Sequence, residues 1–249
     1  ENQMNIKSKL LLALLATSSA AFAQTAPAAP ESTLGYNVGV VSEYRYRGQG
    51  QSKGDPALQG GVDYAHSSGL YVGAWASTIK WIKDAGASKG STELDIYGGY
   101  KFEAAGLAYD VGYLRYEYVG NTYDKVGVNA NTDEAYGAVT AGPATLKYSY
   151  AFSDLFGNAN SKGSTYWDLS ATFDLGDGYS IVPHAGRQTV KNTALSYTDL
   201  ALTLNKDMGE GLVASVSAIS TNGKAANFTS PSGYNTAKNI VVVGVKYSF

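Results

Sequence analysis

From Tyr36 to Phe249 the chain alternates apolar and polar residues in run after run. A period of two sets one kind of side chain on each face of a β-strand. Near the start, Tyr36, Val38, Val40, Ser42, Tyr44 and Tyr46 share a face, and Asn37, Gly39, Val41, Glu43, Arg45 and Arg47 share the other. A second run sets Leu58, Val62 and Tyr64 against Gln59 and Asp63. The fourth opposes Leu94, Ile96, Tyr100 and Phe102 to Glu93, Asp95, Tyr97 and Lys101, and the seventh opposes Leu146, Tyr148, Tyr150 and Phe152 to Thr145, Lys147 and Ser149. In the eighth, Trp167, Leu169, Ala171 and Phe173 stand against Asp168, Ser170, Thr172 and Asp174. The tenth sets Leu200, Leu202 and Leu204 against Asp199, Thr203 and Asn205; the last sets Val241, Val243, Val245, Tyr247 and Phe249 against Gly244, Lys246 and Ser248.

Other runs are less regular. Those near residues 70–77, 134–141 and 212–220, together with the ninth, leave their facing open. The fifth, from Leu107, changes phase near Tyr113 and Leu114, where a β-bulge is expected. Pro183 in the ninth costs a ladder hydrogen bond or marks another bulge.

Connections alternate between tight turns, such as Ser67-Ser68, Gly142-Pro143 and Gly176-Asp177-Gly178, and long polar loops at 48–56, 80–91, 120–132, 154–163, 191–193 and 221–238. The connections fit about twelve strands. An apolar, Tyr-rich face kept over roughly ten residues suits a tilted strand crossing a bilayer. Backbone groups in lipid must pair within the sheet, so such a sheet has to close. The expectation is an all-β protein, a closed antiparallel transmembrane β-barrel over residues 34–249 with short periplasmic turns, longer external loops and both termini in the periplasm. A soluble sandwich or ligand-binding barrel is the competing architecture.

The amino-terminal segment reads as an export signal. Residues 1–3 precede Met4; Lys7 and Lys9 lead into an apolar run from Leu10 to Ala16, and Ala21-Phe22-Ala23 fits a cleavage site, making 4–23 a signal peptide. Residues 24–33 read as a flexible periplasmic lead-in. No stretch is long and apolar enough for a membrane helix. The chain has no Cys, so disulfides and thiolate metal sites are out, and a net charge of −2 leaves no basic stripe for nucleic acid. Tyr, at 20 against 7 Phe, suits strands meeting a membrane interface.

The stretches Ser42-Glu43-Tyr44-Arg45-Tyr46-Arg47-Gly48, Gln59-Gly60-Gly61-Val62-Asp63-Tyr64 and Gly69-Leu70-Tyr71-Val72-Gly73-Ala74-Trp75-Ala76-Ser77 resemble the start of the TorF-like putative porin family. The likeness is sharp over residues 35–102 and continues as barrel pattern to Phe249. It implies an outer-membrane barrel of this size and carries over no catalytic residue. The family's label suggests small methylated amines passing lumen aromatics such as Tyr97, Tyr166 and Tyr197.

With the apolar face in lipid, the opposite face lines the lumen. Its acids are Glu43, Asp63, Glu93, Asp95, Asp110, Asp168, Asp174 and Asp199, and its bases are Arg45, Arg47, Lys101, Lys147 and Lys246. The functional expectation is passive diffusion of small hydrophilic solutes, with outer-membrane lipid and lipopolysaccharide as surroundings and no cofactor or metal. The alternative is that these charges pair and plug the barrel, which then serves as an enzyme, adhesin or structural protein. Arg45 and Arg47 either bind anions or pair with Glu43 or a carboxylate on a neighbouring strand. An enzyme needs a nucleophile beside a base; of the two His, His66 falls at a turn and His184 beside Pro183, neither in a recognisable triad.

Overall fold

The structure, a computed structural model, describes residues 31–249. The expected signal peptide and most of the expected lead-in therefore lie outside the described residues. Twelve barrel strands follow in order: β1 (Ser32–Val41), β2 (Ala57–His66), β3 (Leu70–Thr78), β4 (Thr92–Ala104), β5 (Leu107–Tyr118), β6 (Thr132–Ala141), β7 (Ala144–Ala151), β8 (Thr165–Ala171, resuming as Phe173–Gly176), β9 (Tyr179–Thr189), β10 (Tyr197–Gly209), β11 (Leu212–Thr221) and β12 (Ile240–Ser248). Each pairs antiparallel with its sequence neighbour. β1 pairs β12 from Asn37↔Ser248 to Val41↔Gly244, which closes the barrel. The seam reaches the last residue: Tyr36 N–H donates to the Phe249 carbonyl at 2.8 Å, Phe249 N–H returns the bond at 3.0 Å, and the two rings stack.

Tight hairpins mark one end of the barrel. Ala105-Gly106, Asp177-Gly178 and Glu210-Gly211 each place two consecutive residues at positive φ. Type I′ turns require this, and their twist matches that of the flanking strands. Long loops mark the other end.

Side chains divide as the alternation demands. Val38, Val40, Ile96, Val111, Leu169, Leu200, Leu202, Val241 and Val243 stand exposed on the outer wall, while Glu93, Asp95, Asp110, Glu134, Asp168 and Asp199 are buried within. The ambiguous strands also resolve. β3 turns Leu70 and Val72 outward, β6 buries Thr132, Glu134 and Tyr136, β9 buries Ser180, Val182 and Gln188, and β11 exposes Leu212 and Val216 while burying Val213.

Two irregularities differ from expectation. β5 pairs β4 and β6 in unbroken register, with no bulge. The apparent change of phase has another cause: near the long-loop end the outward positions become Arg115 and Glu117, Arg115 pairing with both Glu117 and Asp133, while Tyr116 and Tyr118 turn in against the loops. β9 runs straight through Pro183, which faces outward opposite Leu202. The missing N–H is felt across the ladder, where β8 is interrupted at Thr172 and resumes in the same register.

The apolar core sits inside the mouth of the barrel. Tyr44, Ile79, Tyr116, Tyr118 and Ala130 pack together with Ile82 of the short helix α1 (Trp81–Asp84). Trp81 meets Tyr118 edge-on at 5.0 Å rather than joining a solvated loop surface.

A charge introduced on the outer wall tests which face meets lipid. Leu202→Arg should cost about 2 to 4 kcal/mol and Met208→Arg, beside a tight turn, about 0 to 1 kcal/mol. Reversible urea unfolding in lipid vesicles measures both, and equal small costs would argue for a soluble barrel.

Candidate functional site

The alternation Ser42 to Arg47 does not extend β1. The strand ends at Val41, and residues 42–56 turn into the lumen, where Arg45–Tyr46 and Gln49–Gly50 form a two-stranded inner hairpin. Glu43, Arg45 and Arg47 thus belong to this inward excursion rather than to a wall strand, and Tyr44 and Tyr46 lie inside the barrel. The hairpin's turn is Arg47-Gly48, with φ of 46° and 75°. A long side chain rarely adopts that conformation.

Contacts on the far wall hold it. Arg47 Nη1 donates to Glu134 Oε1 at 2.9 Å and to Gln188 Oε1 at 2.9 Å, and Nη2 donates to Glu134 Oε2 at 2.7 Å. Its guanidinium also lies 4.3 Å from the centroid of the Tyr166 ring. Burial works against the Arg47 charge, but the adjacent Glu134 carboxylate outweighs it and the group is held charged more firmly than a free arginine. Gly48 is needed beside it, since a Cβ there would come within 2.6 Å of Asp199 Cβ. The base of the hairpin is fixed to the last loop. Arg45 donates to Glu43 at 3.1 Å and to the carbonyls of Thr236 and Lys238 at 2.7 and 3.1 Å. Both arginines therefore make ion pairs, one with Glu43 and one with a wall carboxylate.

Tyrosine hydroxyls supply most of the remaining donors. Tyr44 donates to Glu93 at 2.9 Å, Tyr71 to Asp110 at 2.7 Å, Tyr97 to Asp63 at 2.5 Å, Tyr116 to Glu134 at 3.2 Å and Tyr166 to Asp199 at 3.1 Å. Tyr234 donates to Glu43, and Tyr46 and Tyr116 share a hydrogen bond. Burial, reinforced by Glu93 and Asp95, pushes the Tyr44 hydroxyl well above the phenol range, so it stays a donor. Small residues make room for these rings. A Cβ on Gly73 would lie 2.5 Å from the Tyr97 ring, its cross-strand partner, and one on Gly112 would lie 2.5 Å from Tyr136 Oη, again directly across the ladder.

Together the hairpin and walls enclose a cavity of about 380 Å³. Of the residues expected at the lumen, Glu43, Arg45, Arg47, Asp63, Asp95, Lys147, Asp168, Asp199 and Lys246 border it. Glu93 and Asp110 are buried outside that lining. Lys101 lies over the Tyr71 ring at 4.9 Å, and Asp174 accepts from the Gly176 N–H in a tight turn, 2.9 Å away. Lys147 sits over the Tyr136 ring at 4.0 Å.

Glu134, Gln188 and Trp75 were missed because their strands carried no clear facing. Among the aromatics expected to meet amines, Tyr97 borders the cavity, Tyr166 already carries Arg47, and Tyr197 packs edge-on against Phe228. His184 lies between two acids, with Nε2 3.1 Å from Asp168 Oδ2 and Nδ1 3.5 Å from Asp199 Oδ2. Nε2 also lies 3.3 Å from the Tyr166 hydroxyl. His66 Nδ1 is 2.8 Å from Ser68 Oγ within an exposed turn.

Residues 24–249 match a family model described as "Bacterial protein of unknown function (Gcw_chp)". No curated protein matches the chain. Among solved structures, the chain is similar to the KdgM porin, with TM-score 0.55 and 9% identity over 88% of this chain and 99% of that one. The NanC porin gives TM-score 0.53 and 12% identity over 86% and 99%. The COG4313 outer membrane channel from Pseudomonas putida F1 gives 0.50 and 13% over 90% and 99%. Identities this low speak to the fold, which these porins and channels share.

Breaking the hairpin's anchor should be costly. Arg47→Ala leaves Glu134 buried and unpaired, an expected loss of about 3 to 5 kcal/mol. Adding Glu134→Gln should recover part of it. A double-mutant cycle in denaturant reads the coupling, and additive losses would show that the pair holds nothing.

Proposed function

The chain belongs to the Gcw_chp family, whose description names no activity, and from its geometry we propose that it is an outer-membrane channel for passive diffusion of small hydrophilic solutes. One observation carries this: a closed sheet with aliphatic residues on its outer wall and ionisable residues on its inner wall. Lipid outside and water inside satisfy both faces. The export signal read in residues 4–23 supports delivery beyond the inner membrane, and short turns at one end support periplasmic termini. The resemblance of residues 35–102 to the TorF-like putative porins is in keeping with this reading. The KdgM porin has also been solved with disordered oligogalacturonate; that concerns KdgM, and this chain's lumen, with acids and bases interleaved, favours no sugar acid.

The inner hairpin supports a second reading, a barrel shut at rest. It crosses from β1 to β6, β8 and β9, so any solute passes beside Arg47 or displaces it. In the channel reading, mixed charges at this narrowing tune selectivity; in the shut reading, the Arg47–Glu134 pair is a latch. No residue is assigned to catalysis in either.

Planar-bilayer recordings of folded protein separate them. Wild type should give discrete channels, and Arg47→Ala should give larger or noisier ones. Silent wild type with a conducting Arg47→Ala would mean a latched barrel. Silence from both, with folding verified, would end the pore reading.

A further inference from the structure

Among the described residues two buried lumen carboxylate oxygens lack a hydrogen-bond partner, Asp110 Oδ2 and Asp95 Oδ1; Asp110 still accepts from Tyr71 through its other oxygen and lies outside the cavity lining. Glu43, Glu93, Asp110, Glu134 and Asp199 each accept from a tyrosine, and Asp168 lies against His184. Asp95 is also buried, at 9% exposure, yet its Oδ1 has no hydrogen-bond partner, and the side chain borders the cavity.

Neighbouring donors are already engaged. Tyr97, two residues along the same face, donates to Asp63. Tyr116, directly across the ladder, serves Glu134 and Tyr46. Arg47 contributes opposite charge but spends its Nη atoms on Glu134 and Gln188, and Glu93 and Glu134 add like charge around Asp95. A buried acceptor without a donor, in a protein that supplies donors to its other lumen acids, marks a place where the donor comes from outside.

We propose that Asp95 anchors a cation subsite in the lumen, and that its ligand is a small organic ammonium bearing at least one N–H. The N–H follows from the acceptor left open at Oδ1. An organic rather than a metal cation follows from the surroundings: Trp75, the cross-strand partner of Asp95, and Tyr97 border the same cavity and make its wall beside Asp95 aromatic, as suits an alkylammonium. No group of three His, Cys, Asp or Glu among the described residues is arranged to hold a metal. A volume near 380 Å³ suits a ligand of a few heavy atoms. The subsite deepens the channel reading by naming a solute class, but its occupancy is measured without flux.

Isothermal titration of the folded full chain in detergent, at constant ionic strength, tests it with n-butylammonium, tetramethylammonium and potassium. Saturable n-butylammonium binding is expected, at least tenfold tighter than tetramethylammonium, which lacks an N–H, and than potassium. Asp95→Asn should weaken it at least tenfold, whereas Asp174→Asn, in the tight turn, should leave it unchanged. No saturable binding by folded wild type, equal binding of tetramethylammonium, or undiminished binding by Asp95→Asn would each overturn the proposal. Should Asp95→Asn fail to fold, the wild-type order of the three cations still decides. Binding without conductance would sink the channel reading and leave the subsite standing.

Discussion

The hydrogen-bonded seam between β1 and β12 is the constraint from which the other features follow. A sheet with an apolar outer wall cannot leave an edge, because unpaired N–H and C=O groups in hydrocarbon cost several kcal/mol each. Once the seam is made, every strand residue has two destinations, the outer wall or the lumen. Charges on the outer wall keep to its two rims: Arg115 pairs with Glu117 and Asp133 near the long-loop end, and Lys206 lies over the Tyr179 ring beside a tight turn. Most of the strands' ionisable groups are thereby crowded into one narrow interior.

That crowding explains the tyrosines better than a membrane interface alone does. A lumen acid needs a hydrogen-bond donor, and a cationic partner for each would fill the interior with long charged side chains. A phenol supplies the donor without a charge and fills space with its ring. The ring needs room, and a glycine directly across the ladder provides it, as Gly73 does for Tyr97 and Gly112 for Tyr136. The abundance of Tyr over Phe and the glycines within strands are two sides of one packing solution.

Strand number, closure and the facing of the regular strands were legible in the sequence, because period-two alternation is a direct image of a two-faced sheet. The inner hairpin was not, for the same reason. Ser42 to Arg47 alternates as well as any strand, and a hairpin inside a lumen is itself β-structure, so the pattern is real but belongs to a different element. Arg47-Gly48 also lacks the Asn-Gly or Asp-Gly chemistry that advertises a type I′ turn. β5 misled in the opposite direction. Its facing never changes; its surroundings do, near the long loops, so Tyr116 and Tyr118 belong inside while Arg115 and Glu117 belong outside. Alternation reports which residues share a face, and only the third dimension says what that face meets.

The turn at Arg47 also bears on how firmly the lumen is narrowed. A non-glycine residue at positive φ costs on the order of 1 to 3 kcal/mol where it persists, and here it sits at the tip of a short hairpin with little sheet of its own. The conformation is sustained from outside the hairpin, by Glu134 on β6, Gln188 on β9 and the Tyr166 ring on β8. Those contacts bridge walls on the far side of the barrel from the seam where the hairpin begins. The tip of the element that narrows the lumen is therefore held by its docking, while Arg45 ties the base to the last loop, and a change that loosens the Arg47 anchor releases backbone strain as well as an ion pair.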